Sequence, residues 1–127
     1  MRILVVLIIV LCNLSSCTTH TTYPSAILQA ENCMNTSPDS ALTLLQEITD
    51  SIADYPEEVQ MYWHLLTIQA KDKQYIVHTS DSLINRIVEF YEGYGDKAKL
   101  MMAYYYQGRV YRDMNDAPRA LKVFQQV

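Results

Sequence analysis

Three cysteines and three histidines, set among fourteen carboxylates, are the side chains of this 127-residue chain best able to do chemistry. Cys17 follows Leu14-Ser15-Ser16, and small residues ahead of a thiol suit cleavage followed by transfer of a diacylglyceryl group to sulfur. Cys12 lies ahead of that point, so Cys33 alone would remain and no intrachain disulfide is available. Cys33 falls at a predicted helix end and reads as a small packed residue rather than a nucleophile. His20 has no second ligand residue near it, and His64 and His78 lack the HExxH or clustered-cysteine spacing of a metal site. Gly93 and Gly95 can turn a helix end, but no Lys-Ser or Lys-Thr follows at phosphate-loop spacing. No nucleophile elbow, Ser-His-Asp set or acid pair with divergent surroundings is present. The chain is therefore expected to be no enzyme, with no cofactor, no metal and no small-molecule substrate.

The N-terminal residues explain Cys17. Met1 and Arg2 precede an unbroken apolar run, Ile3 to Cys12, which is shorter than the roughly 20 residues of a membrane-spanning helix. A positive residue, a short apolar core and small residues before a cysteine predict a signal peptide over 1–16. Leu14-Ser15-Ser16-Cys17 resembles a bacterial lipobox, which implies that Cys17 becomes the acylated first residue of a lipid-anchored protein. Two or three acyl chains anchor firmly where one holds only marginally. Residues 17–24 then read as the lipidated N-terminus and a short polar tether. Cleavage removes only Arg2 among the charges, leaving nine basic against fourteen acidic residues. Nucleic acid is disfavoured as a partner by that balance.

Residues 25–127 predict helices joined by turns, since Gly and Pro are few while Leu, Ala, Met, Gln and Glu are common. Ala26, Ala30 and Cys33 form a weak stripe over 25–34. Ala41, Leu44, Leu45 and Ile48 form a stronger one over 38–49, with Ser37 as candidate N-cap and Pro38 at the first helical position. A longer helix over 57–72 carries Trp63, Leu66 and Ala70 on one face, with Trp63 as a core anchor. The next helix, from near Ser80 to Gly93, offers Leu83, Ile87 and Phe90 as its inward stripe. In the last pair, Tyr104, Gly108 and Tyr111 share a face of a helix starting near Met101, and Ala120, Phe124 and Val127 share one beginning near Ala117. Asn115 and Asp116 break the two apart.

Aromatic, glycine and tyrosine at these intervals, then alanine and phenylalanine in the partner helix, resemble the tetratricopeptide repeat. Gln107 stands where that family has leucine, and Asn115, which tolerates left-handed backbone, stands where it often has glycine. Ala41 and Leu45 repeat the spacing of Ala120 and Phe124, while Trp63 and Leu66 resemble the first helix of a further repeat in which Thr67 replaces the glycine. Intervals of 42 residues from Ala41 to Leu83 and 37 from Leu83 to Ala120 exceed the family's 34, and the surplus is assigned to loops near 50–56, 72–79 and 93–98. The resemblance implies an all-α, right-handed superhelix of antiparallel helix hairpins. Tyr104 is expected inside the last hairpin, and Gly108 and Ala120 where its helices approach. At least one of Tyr105 and Tyr106 is expected to reach the concave face, which in the family receives a protein or peptide, or to pack on the preceding repeat.

Lipobox and repeats together resemble cell-envelope proteins of the Bacteroidetes, some of which continue into a membrane helix and a signalling or DNA-binding domain. The final helix reaches only its third turn by Val127, which predicts that the natural product continues. The expected function is a membrane-anchored interaction module, facing the periplasm or exposed on the cell surface. A structural or assembly lipoprotein without a dedicated ligand is the alternative, as is the sensor part of a longer signalling protein.

Overall fold

A computed structural model describes residues 20–127. The signal peptide over 1–16 and the lipidation of Cys17 fall outside those residues. Within them the fold is all-α: α1 Ser25–Cys33, α2 Pro38–Glu47, α3 Glu57–Lys73, α4 Ser82–Tyr94, α5 Lys97–Asp113 and α6 Ala117–Phe124, with a 3-10 turn Ile52–Asp54 before α3. Each helix packs on the next, and α1 with α3 and α3 with α5 also touch. No helix of the described residues is long and apolar enough to cross a membrane.

Local chemistry sets the helix ends. Pro38 opens α2 with Asp39 in its first turn, where a carboxylate meets the positive end of the helix dipole. Ser37 occupies the N-cap position, yet its hydroxyl bonds Asp39 Oδ1 at 3.1 Å and Ser40 Oγ at 3.0 Å rather than a backbone amide. Asp96 caps α5 by accepting from the Lys99 amide at 3.0 Å, and Asp116 caps α6 by accepting from the Arg119 amide at 3.1 Å. The Asp96 cap corrects the expected boundary. Gly95, at φ +89, ends α4, and α5 starts at Lys97, so Lys97 and Lys99 belong to the helix and no surplus loop exists there.

The two longest helices end alike. After α3, the amides of Tyr75 and Ile76 donate to the carbonyls of Asp72 and Lys71, both at 3.0 Å. After α5, those of Asn115 and Asp116 donate to Arg112 at 3.0 Å and Tyr111 at 2.8 Å. Both are Schellman closures, with Tyr75 at φ 59 and Asn115 at φ 60 in the left-handed region. The two closures lie forty positions apart in the chain. Ile68 is buried, whereas the Thr67 hydroxyl donates back to the Trp63 carbonyl at 2.8 Å.

The core runs through α1 to α5, and a smaller cluster of Tyr111, Ala120 and Val123 holds α6. Several faces are rotated by one position from the sequence reading. In α1 the buried residues are Ile27 and Ala30, followed by Met34 at the helix end, while Cys33 is only half-buried. In α4 they are Ile84, Ile87, Val88 and Tyr91, with Leu83 and Phe90 at the margin. Ala41, Leu45 and Leu66 are buried. Trp63 is half-buried and donates its indole N–H to the Leu45 carbonyl at 2.8 Å, tying α3 to α2.

Candidate functional site

The residues singled out in the last hairpin divide between packing and surface. Gly108 is buried against α6: a Cβ placed there would lie 2.6 Å from Cζ and 2.7 Å from Cδ1 of Phe124. Its close neighbour is therefore Phe124, one turn beyond Ala120. Tyr111 is buried, donates its hydroxyl to Asn85 Oδ1 at 3.2 Å and carries the Arg119 guanidinium 4.4 Å above its ring. Gln107 donates to the same Asn85 oxygen at 2.9 Å, so its amide has a partner on α4 where leucine would have needed only an apolar wall. Tyr104 packs against the Tyr111, Ala120 and Val123 cluster of the hairpin as well as against the main core. It is half-buried at the seam between the two core clusters, and its hydroxyl donates to Glu92 Oε1 at 2.7 Å.

Adjacent Tyr105 and Tyr106 have opposite fates, as residues about 100° apart around a helix must. Tyr106 is 5% exposed, and burial pushes its phenol up to about 12. Tyr105 is 42% exposed and forms one wall of a cavity of ≈ 360 Å³ between the α1–α2 turn, the end of α3 and the side of α5 that carries Arg109. Tyr75 forms another wall, and Asn35, Pro38, Asp72, Lys73 and Arg109 complete the lining. The sequence hid Tyr75 because tyrosine has no preference for the left-handed conformation that lifts it, 90% exposed, off the end of α3. Gln74 fixes this end of the groove by donating to the carbonyls of Pro38 at 3.3 Å and Ala70 at 3.0 Å.

Arg109 and Asp72 form the groove's charged floor. Arg109 Nε donates to Asp72 Oδ1 at 3.0 Å and Oδ2 at 3.2 Å, and this pairing raises the guanidinium's pKa further. Within the described residues, the Lys73 ammonium has no protein ion-pair partner. With Asp72 offset by Arg109, the groove keeps the charge of Lys73 as an excess, in a chain of net charge −4.

Behind the groove, the fold joins residues that the sequence left apart. Asp72, His78 and Asp113 each bring a metal-ligating atom within 4.8 Å of the others. The His78 amide donates to Asp113 Oδ2 at 3.0 Å, while its ring Nε2 is buried without a protein partner. Burial lowers the His78 pKa and outweighs the opposing pull of Asp113 and Asp72. Burial would raise Asp113, but the His78 amide and the Arg112 guanidinium, 2.9 Å away, hold it below the ordinary value. Each carboxylate already faces an arginine, so the cluster has no surplus negative charge to offer a divalent cation. Its geometry serves instead to clamp the α3–α4 loop onto the end of α5.

Comparison with protein-family models, curated proteins and solved structures found no match to this chain.

Proposed function

We propose that this chain is a lipid-anchored protein interaction module of the bacterial cell envelope, acylated at Cys17, whose tetratricopeptide-like helix pairs present a groove to an extended acidic peptide. The observation carrying this reading is the groove itself, with aromatic walls from Tyr75 and Tyr105 and the cationic head of Lys73 beside the Arg109–Asp72 pair. Tyrosine walls offer rigid contact area at low entropic cost, and a carboxylate on the peptide complements the Lys73 ammonium. The anchor and the compartment rest on the Leu14-Ser15-Ser16-Cys17 pattern, and the repeat type on the last hairpin with the paired helix ends. Burial of Tyr106 favours the structural-lipoprotein reading for that residue alone, because its ring belongs to the core.

The test is fluorescence anisotropy of the full chain with a labelled eight-residue peptide of glutamate and alanine, against the same peptide with glutamine in place of glutamate. The acidic peptide should bind more tightly. Tyr105→Ala and Lys73→Gln, both outside the core, should each weaken it by about 1 kcal/mol or more, roughly fivefold. Equal affinity for both peptides, untouched by either substitution, would remove the acidic-peptide reading. Intact mass of protein recovered from a bacterial envelope should show diacylglyceryl on Cys17 as the first residue; an unmodified Cys17 removes the anchor.

A further inference from the structure

Residues 21–24, at the end of the expected polar tether, are docked on the domain. Tyr23 packs edge-on against Tyr62 of α3, with ring centroids 5.1 Å apart. Lys99 Nζ, at the start of α5, lies 5.6 Å from the Tyr23 ring centroid and 4.6 Å from that of Tyr62. Asp96 fixes that ammonium through a 2.9 Å ion pair, and the Thr21 and Tyr94 hydroxyls share a hydrogen bond of 3.2 Å. Contacts therefore come from α3, the end of α4 and the start of α5 at once. An ammonium between two aromatic faces and a carboxylate is a directional clasp, since ring quadrupole and ion pair draw it the same way.

This clasp and the groove occupy opposite ends of the same two helices. Tyr62 precedes Asp72 by ten residues on α3, and Lys99 precedes Arg109 by ten on α5. At 1.5 Å rise per residue, about 15 Å of helix separates them on each.

We infer that residues 21–24 are a docked strap that fixes the point where the preceding chain leaves the domain, turning the Tyr75–Tyr105 groove away from whatever holds the N-terminus. The significance of the orientation rests on the peptide-binding reading, whereas the docking of the strap does not. If residue 17 is anchored to a membrane, the strap directs the groove outward into solvent, where a peptide can reach it.

The experiment is nitrogen-15 relaxation with ring-to-ring nuclear Overhauser measurements on the full chain in detergent micelles. Docking predicts order parameters near 0.85 for residues 21–24, and cross-peaks between the Tyr23 and Tyr62 rings. Tyr23→Ala should drop these residues below about 0.6 while the amide shifts of α5 and α6 beyond Arg109 stay in place. Lys99→Gln, which keeps the helix and removes the cation, should lower the same values. Should Tyr23→Ala fail to fold, the unsubstituted chain and Lys99→Gln decide. Values below 0.6 in the unsubstituted chain, or no change in either variant, overturn the strap. Peptide affinity is a separate readout, so a groove that binds nothing leaves the relaxation result standing.

Discussion

Asp72 is 8% exposed while its partner Arg109 keeps 23% of its side chain in solvent, and this asymmetry decides what each substitution does. Removing Arg109 strands a buried carboxylate, at a cost on the order of 3 kcal/mol, whereas removing Asp72 leaves a guanidinium that water can still reach. Arg109→Gln should therefore lower the urea midpoint clearly more than Asp72→Asn, and equal losses would contradict the assignment of Asp72 as the buried member. Tyr91 has a different imbalance: it is 1% exposed and its hydroxyl has no protein partner. Tyr91→Phe should raise stability by about 1 kcal/mol, because an unpaired buried hydroxyl is replaced by hydrogen at nearly the same shape. Burial raises the phenols of Tyr62, Tyr91 and Tyr106 above the ordinary 10.0, Tyr106 to about 12. The unfolded chain then ionises first, so this contribution is whole below pH 10 and is lost as pH rises through the folded values. Unfolding midpoints measured from pH 9 to 12 should fall, and more shallowly in Tyr91→Phe.

Among the elements, the hairpin of α5 and α6 was the most legible, because glycine, small alanine and aromatic residues at fixed intervals leave few ways to pack. The sequence placed Gly108 at a close approach, but the facing group is the Phe124 ring, which a two-dimensional spacing argument cannot choose over Ala120. Gly108→Leu should cost about 1 to 3 kcal/mol through overpacking, while Gly93→Leu, with nothing within 4 Å of its Cβ position, should cost little. Similar unfolding midpoints for the two variants would refute the contact. The face of α4 was not legible, since Leu83, Ile84, Ile87, Val88, Phe90 and Tyr91 form an apolar band too broad to fix the rotation. The start of α5 was hidden because Lys97 and Lys99 look like solvent residues until Asp96 is seen capping them. Of the groove, Tyr105 could be named from its neighbours. Tyr75, Lys73 and Arg109 could not be joined to it, because the turn that lifts Tyr75 depends on helix-end hydrogen bonds between backbone groups.

At the scale of the whole molecule, the eight-residue connection 74–81 is the least covered crossing between packed helices, with Tyr75, Ile76 and Val77 at 90%, 44% and 65% exposure. Apart from the helix-end amides of Tyr75 and Ile76, the connection is tied by Gln74 on one side and by the His78 amide and the Asp81–Arg119 pair on the other. Exposed tips of this kind are where proteases enter a folded domain. Chymotrypsin at low dose should therefore cut after Tyr75 before it cuts after buried Tyr106 or Tyr111, as mass spectrometry of the fragments would report. The interfaces of α3 with α4 and α5 span the cut. A single break there would convert one polypeptide into two complementary pieces that still co-elute. The bond between Tyr75 and Ile76 is thus dispensable for cohesion once folding is done, and the two pieces, made separately, should find each other and reassemble.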